Sequence, residues 1–246
     1  MLELNKIYCG DCLELMPNIE SESIDMILAD VPYGTTACKW DSIIPLEPMW
    51  EQLKRIIKPN GAIVMTASQP FTTKLIASNM GMFKYEWIWN KTFGKEPFAS
   101  GKRPQKAHEN ICLFYYRQPV FNSQKTKGTP YIDIRKRAIQ PGTHYQKKNV
   151  IIKNSGYRYP ISVINFVNAN FEGMHPTQKP VALIEYLIKT YTNENETVLD
   201  FTIGSGTTPV ACIKTSRQYI GMEISPEYCE IAEKRIFYER QQLKLF

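Results

Sequence analysis

No apolar run in this chain approaches the roughly 18 residues that a membrane helix needs. Its first residues, Met1-Leu2-Glu3-Leu4-Asn5-Lys6, lack the pattern of a signal peptide. Both absences predict a cytoplasmic protein with no membrane partner. Cysteine is sparse and poorly paired: of Cys9, Cys12, Cys38, Cys112, Cys212 and Cys229, only Cys9 and Cys12 have C-x-x-C spacing. No second close pair completes a zinc site, so free thiols in a reduced protein are expected and no metal is assigned. Internal repeats and low-complexity tracts are also lacking. Acidic residues are scarce in one stretch above all. Between Lys95 and Arg158 lie fourteen lysines and arginines but only Glu96, Glu109 and Asp133, a local excess of +11 in a chain whose total is +6, so the rest carries −5. Charge separated in this way predicts a polyanionic partner, with a solvated basic face as the alternative.

What is present is an alternation of short apolar strands and helix-forming segments. Its length of 246 residues suits one α/β domain with an insertion. Ile7-Tyr8-Cys9 reads as a strand, and Asp11 as the cap of a helix from Cys12 to Met16. Ile24 to Ala29 and Ala62 to Thr66 are too continuously apolar to be one-sided, which predicts central, buried strands. Trp50, Leu53 and Ile57 recur at helical spacing until Lys58-Pro59-Asn60-Gly61. Phe71 to Ser78 reads as a helix, and Tyr85 to Trp89 and Ile111 to Tyr116 as strands. From Gln118 to about Glu172 regularity fades, predicting an irregular basic insertion without a hydrophobic core of its own. Alternation resumes with a helix from Val181 to Tyr191, a strand from Thr197 to Phe201, a helix from Thr207 to Lys214, a strand from Gln218 to Ile224, and a last helix with Pro226 in its first turn. Strands alternating with helices predict a doubly wound, mainly parallel sheet of the α/β class.

Two turns carry chemistry. In Asp200-Phe201-Thr202-Ile203-Gly204-Ser205-Gly206-Thr207-Thr208 an apolar strand runs into a glycine-rich turn that opens a helix. Such a turn lets backbone approach a nucleotide-like ligand. A dinucleotide site would show G-x-G-x-x-G, but the sixth position here is Pro209, which counts against nicotinamide or flavin. Glu223 ends the next strand, where a carboxylate suits the two hydroxyls of a ribose. A tight turn with a surface carboxylate is the plainer reading of these residues alone.

The second turn is Asp30-Val31-Pro32-Tyr33, which follows the strand Ile24 to Ala29. The Asp30 carboxylate and the Val31 carbonyl can accept the two hydrogens of an exocyclic amine. Pro32 holds Val31 extended, and Tyr33 offers a ring on which a base can stack. An ordinary proline turn is the alternative for these four residues. His175-Pro176-Thr177-Gln178-Lys179-Pro180 precedes a helix, and Lys179 can meet a carboxylate.

Gly10-Asp11, Asp30 to Tyr33, His175 to Pro180, and Asp200 to Thr208 with Glu223 together resemble the S-adenosylmethionine-dependent amino-methyltransferases of DNA, in their β-class motif order. The likeness spans nearly the whole chain. It implies a Rossmann-like methyltransferase fold with a catalytic half over 1–117, a target-recognition insertion over 118–172 and a cofactor-binding half over 173–246. It implies S-adenosylmethionine as cofactor and double-stranded DNA as partner, with a homodimer left open. By the same resemblance Asp30, Val31, Pro32 and Tyr33 hold a flipped base. Asp200, Phe201, Gly204, Gly206 and Thr207 surround the cofactor's methionine portion, Glu223 takes its ribose and Asp11 its adenine, and His175 and Lys179 lie near the methionine carboxylate. Val31 and Phe201 stand where such enzymes commonly have proline. The expected reaction is methylation of adenine N6. N4-cytosine methylation, an inactive DNA-binding relative and a nicotinamide oxidoreductase are the alternatives.

Overall fold

The continuous apolar runs become the middle of an eight-stranded sheet. The computed structural model describes residues 2–34, 43–94, 101–138, 147–167 and 178–243. In chain order the first half contains β1 (Lys6–Cys9), α1 (Cys12–Leu15), β2 (Ile24–Ala29), α2 (Leu46–Ile56), β3 (Ile57–Ala67), α3 (Phe71–Ser78), β4 (Phe83–Asn90) and β5 (His108–Phe114). Next come β6 (Thr126–Lys127), β7 (Tyr131–Ala138), β8 (Lys147–Asn154), β9 (Tyr157–Arg158) and β10 (Val163–Asn165). The chain closes with α4 (Val181–Tyr191), β11 (Thr197–Asp200), α5 (Thr207–Lys214), β12 (Gln218–Glu223) and α6 (Pro226–Leu243).

The strand order is β1-β12-β11-β2-β3-β5-β4-β10. All pairs are parallel except those of β5, which runs against both β3 and β4. Period-2 alternation splits each central strand between two cores. Ile27 and Ala29 of β2, Ile63 and Met65 of β3 and Cys112 and Phe114 of β5 join one core with Met49, Trp50 and Leu53 of α2 and Phe71 and Leu75 of α3. Met26, Leu28, Val64, Ile111 and Leu113 join the other with Leu183 and Leu187 of α4, Ala211 of α5 and Ile236 of α6. Helices on both faces are what a buried parallel sheet requires.

This arrangement also decides where a ligand fits. β2 and β11 are neighbours, with Leu199 beside Ile27. The chain leaves β2 toward the helices of the first core and β11 toward those of the second. Their outgoing loops therefore part, and doubly wound sheets bind ligands in the crevice that such a parting opens. Asp30 and Asp200 follow and end these two strands. The reversed β5 brings its first residues, His108 and Glu109, to the same edge as the carboxyl ends of the parallel strands.

Ser123–Ile161 forms a second compact unit. Its structure corrects the expectation of irregular chain. β7 and β8 pair antiparallel over eight residues, from Tyr131 opposite Asn154 to Ala138 opposite Lys147, and β6 pairs with β9. The ladder escaped a pattern-based reading because neither face has a core to bury. Ile132, Ile134 and Ile151 are exposed, and among the described residues no buried hydrophobic side chain lies between Ser123 and Ile161. Alternation therefore has no inside to mark. Arg158 stacks over Tyr131 at 4.7 Å and Lys125 over Tyr159 at 4.5 Å, cation–π contacts that tie this unit's segments together.

Candidate active site

Asp30 lies just past the end of β2, and its side chain is 32% exposed. Its Oδ1 accepts hydrogen bonds from the Tyr33 hydroxyl at 2.8 Å and from Thr66 Oγ1. Lys179 Nζ donates to Oδ2 at 2.5 Å. Burial alone would push Asp30 toward protonation. The charge of Lys179 and the hydrogen bonds from Lys179, Thr66 and Tyr33 outweigh it and hold the carboxyl below its ordinary range. Burial would likewise lower the Lys179 ammonium, but Asp30 and Glu109 hold it above the usual lysine range. Tyr33 is pushed far above the phenol range by burial and by the charges of Asp30 and Glu109, so it acts as a neutral donor. Its ring stacks on Phe71, with centroids 5.5 Å apart.

Val31 behaves differently from its sequence reading. Only its carbonyl was expected to matter, yet its side chain is 3% exposed and belongs to the first core. The residue thus anchors the loop by packing where a proline would stiffen it.

The glycine loop stands beside this carboxylate. Asp200 ends β11 buried; its Oδ1 accepts from the Thr202 amide at 3.0 Å and its Oδ2 from Thr208 Oγ1 at 2.6 Å. The carboxylate therefore braces the loop from beneath. Burial raises its pKa to about 7, opposed by the two hydrogen bonds and aided by the charges of Asp30 and Glu223. Glu223, ending β12, accepts from the Gly204 amide and the Ser225 amide, each at 2.9 Å. Each oxygen keeps a lone pair for a further donor.

The two glycines have different reasons. Gly204 has φ +51°, and a Cβ there would meet nothing within 4 Å. That is the open approach a ligand needs. Gly206 has φ +84°, and a Cβ there would fall 2.7 Å from Ala232 Cβ on α6. Its Cβ position faces a helix, which by itself demands glycine there. Phe201 is buried in the first core, and Thr207 opens α5 buried.

The family model for DNA methylases of the N6/N4 type matches residues 24–234, from β2 through the glycine loop and into α6. The chain belongs to that methylase family. Among relatives, the Type II methyltransferase M.HpaI of Haemophilus parainfluenzae is 30% identical over 245 residues, covering 94% of this chain and 74% of the relative. M1.MboII of Moraxella bovis, also a Type II methyltransferase, is 29% identical, covering 93% and 95%. The solved structure of M1.HpyAVI with SAM superposes with a TM-score of 0.64 at 24% identity, covering 94% of this chain and 98% of that one. The cytosine-N4-specific PvuII DNA methyltransferase gives 0.69 at 17% identity, covering 94% and 85%. The two solved structures establish the shared methyltransferase fold.

In this methylase Asp11 caps α1, its Oδ1 accepting from the Leu13 amide at 2.8 Å, beside Gly10, whose amide donates to the Glu223 carbonyl at 2.9 Å. Asp11 and Glu223 thus sit on adjacent strand ends. His175 lies outside the described residues, as does Cys38. Lys179, expected near a carboxylate of the cofactor, meets the carboxylate of Asp30 and lies 3.4 Å from Glu109 Oε2. Sequence reasoning missed three participants. Thr66, one residue before the end of β3, bonds Asp30, and Glu109, second in β5, also pairs with Lys91 just past β4. Glu109 had a signal: it is one of three acidic residues in a strongly basic stretch, and it sits at the mouth of an apolar strand. Gln178 is also new. Its amide nitrogen is buried without a hydrogen-bond partner, and its Oε1 lies 3.4 Å from Ser205 Oγ in the glycine loop. Among the described residues no cluster of three or more His, Cys, Asp or Glu is placed to hold a metal. The buried thiols of Cys12 and Cys112 are pushed up to about 12 by burial, which makes them poor nucleophiles.

Proposed function

We propose that this methylase transfers a methyl group from S-adenosylmethionine to the N6 amine of an adenine flipped out of duplex DNA. The observation that carries the reading is the Asp30 carboxylate, ionised and partly exposed at the parting of β2 and β11, with the open glycine loop on the neighbouring strand. The residues fit such a cofactor. The unpaired Gln178 amide and the open face of Gly204 suit its methionine end, Glu223 its ribose hydroxyls, and the Gly10–Asp11 turn its adenine. When bound, S-adenosylmethionine supplies an electrophilic methyl on a sulfonium.

The chain's own groups do the rest. Asp30 accepts one N6 hydrogen and the Val31 carbonyl the other, which orients the nitrogen lone pair toward the methyl. Thr66 and Tyr33 fix the carboxylate in place, so the geometry is set before the base arrives. The Tyr33 ring stacks on the base, which repays part of the cost of unstacking it from the duplex. Aspartate at position 30 favours adenine over cytosine by the family resemblance. The 118–172 segment is the target-recognition part. A two-stranded ribbon such as β7–β8 fits a major groove, and the basic residues around it suit phosphates.

The test is Asp30→Ala. Methyl transfer to DNA, followed with labelled S-adenosylmethionine, should be abolished, while calorimetry should show cofactor affinity within a few-fold of wild type. A variant that still methylates at near wild-type rate sinks the assignment of Asp30.

A further inference from the structure

The carboxylate proposed to hold the target amine already takes three donors from the chain itself, which leaves it one lone pair, on Oδ2. Tyr33 and Thr66 take Oδ1 of Asp30, and the Lys179 ammonium takes Oδ2. The same ammonium lies over the Tyr33 ring, 5.9 Å from its centroid. It therefore engages both groups assigned to the base. A second place for it exists close by. Glu109 Oε2 is buried, lies 3.4 Å from Lys179 Nζ and has no hydrogen bond, while Glu109 Oε1 is held by Lys91. Glu109 is fixed by the β4–β5 ladder, with Trp89 opposite it, and Lys91 is steadied over the Trp89 ring at 4.9 Å.

We propose that Lys179 is a positioning residue with two places: it caps Asp30 Oδ2 in the geometry described and shifts to Glu109 Oε2 when the target amine takes that oxygen. Bringing 3.4 Å to ordinary hydrogen-bond length needs a movement of under about 1 Å. The charge is never expelled to water and never leaves the neighbourhood of Asp30. Glu109 is thereby the acceptor that makes Asp30 available, and Lys91 holds Glu109 in place through its ion pair with Oε1. The proposal rests on Asp30 being the group that binds the amine.

Among the described residues, the charged and titratable groups around Asp30 are Lys179, Tyr33, Glu109 and Asp200, with Lys91 behind Glu109. The variants are Glu109→Gln, Lys179→Met and Lys179→Arg. Each is assayed for kcat and KM with duplex DNA across pH and for S-adenosylmethionine affinity by calorimetry. Glu109→Gln should bind cofactor as wild type does but show a kcat/KM for DNA reduced by about tenfold or more. Lys179→Met should move the acid limb of the pH profile upward, so that its deficit shrinks as pH rises. A merely structural lysine would lower activity by the same factor at every pH. Lys179→Arg keeps the charge and should leave the acid limb in place. A wild-type structure with S-adenosylhomocysteine and target duplex reads the movement directly, whether or not the variants fold: Lys179 Nζ should be bonded to Glu109 Oε2 and clear of Asp30 Oδ2. An ammonium still on Asp30 Oδ2 beside a bound base overturns the proposal, as does Glu109→Gln with wild-type kcat/KM. Failure of the underlying reading is distinct, because then Asp30→Ala itself remains active.

Discussion

Asp200→Asn should stabilise the protein, and more so as pH rises. Asp200 is 5% exposed, and burial raises its pKa from 3.8 to about 7. The folded protein thus favours the neutral carboxyl. Stability from this group is complete below the unfolded pKa near 4 and is lost as pH climbs through about 7. At about 1.4 kcal/mol per pH unit, the full rise corresponds to up to ~4 kcal/mol lost by pH 8. Asparagine escapes that loss. Its Oδ1 can still accept from the Thr202 amide, and its Nδ2 can donate to Thr208 Oγ1, which replaces the present bond in reverse. Urea unfolding of both proteins at pH 4.5, 6 and 8 isolates the effect, since every other titrating group is common to them. The difference should be about 1 kcal/mol at the lowest pH and reach about 4 kcal/mol at the highest. A difference independent of pH, or asparagine destabilising at pH 8, would refute the reasoning about this buried carboxyl.

Gly206→Ala should cost more than Gly204→Ala, because both carry positive-φ strain of about 1 kcal/mol but only the first drives a Cβ to 2.7 Å from Ala232; thermal melting should separate them, and equal falls in Tm would count against the packing role of Gly206. Val31→Ala should destabilise by about 2 kcal/mol, from the buried methyls it removes and the cavity left behind; a neutral result in urea unfolding would mean that Val31 does not anchor the loop. Neutralising Lys147 and Lys148 together should make DNA binding less sensitive to salt, the slope falling by about 0.9 logarithmic units for each phosphate these lysines neutralise, with the methylated sequence unchanged. A changed target sequence would move those residues from phosphate binding to base reading.

Much of this molecule could be read from local pattern. α3, α4 and α5 fall where periodicity and their flanking residues put them, β2 where a continuous apolar run marked a buried strand, and β11 one residue short of the strand read from Thr197 to Phe201. Such elements are legible because one core-facing periodicity governs many residues at once. The Asp30 and Gly204 turns were legible for another reason: each packs its chemistry into a few consecutive positions at a strand end. What stayed hidden was assembled across the sheet. Thr66, Glu109 and Lys91 come from three further strands or their ends, and only the order β2-β3-β5-β4, with β5 reversed, gathers them around Asp30 and Lys179. No short window of sequence contains that adjacency. The β7–β8 ladder stayed hidden for the opposite reason, because exposed strands have no buried face to impose alternation. Gly206 shows a third limit: a glycine demanded by a helix and one left open to a ligand look alike in sequence.

The most direct test of the account is the identity of the methylated base. Duplex DNA incubated with the purified protein and S-adenosylmethionine, then digested and analysed by mass spectrometry, should yield N6-methyldeoxyadenosine, and Asp30→Ala should yield none. N4-methyldeoxycytidine in its place, or modification that persists without Asp30, would contradict the assignment of this carboxylate to an adenine amine.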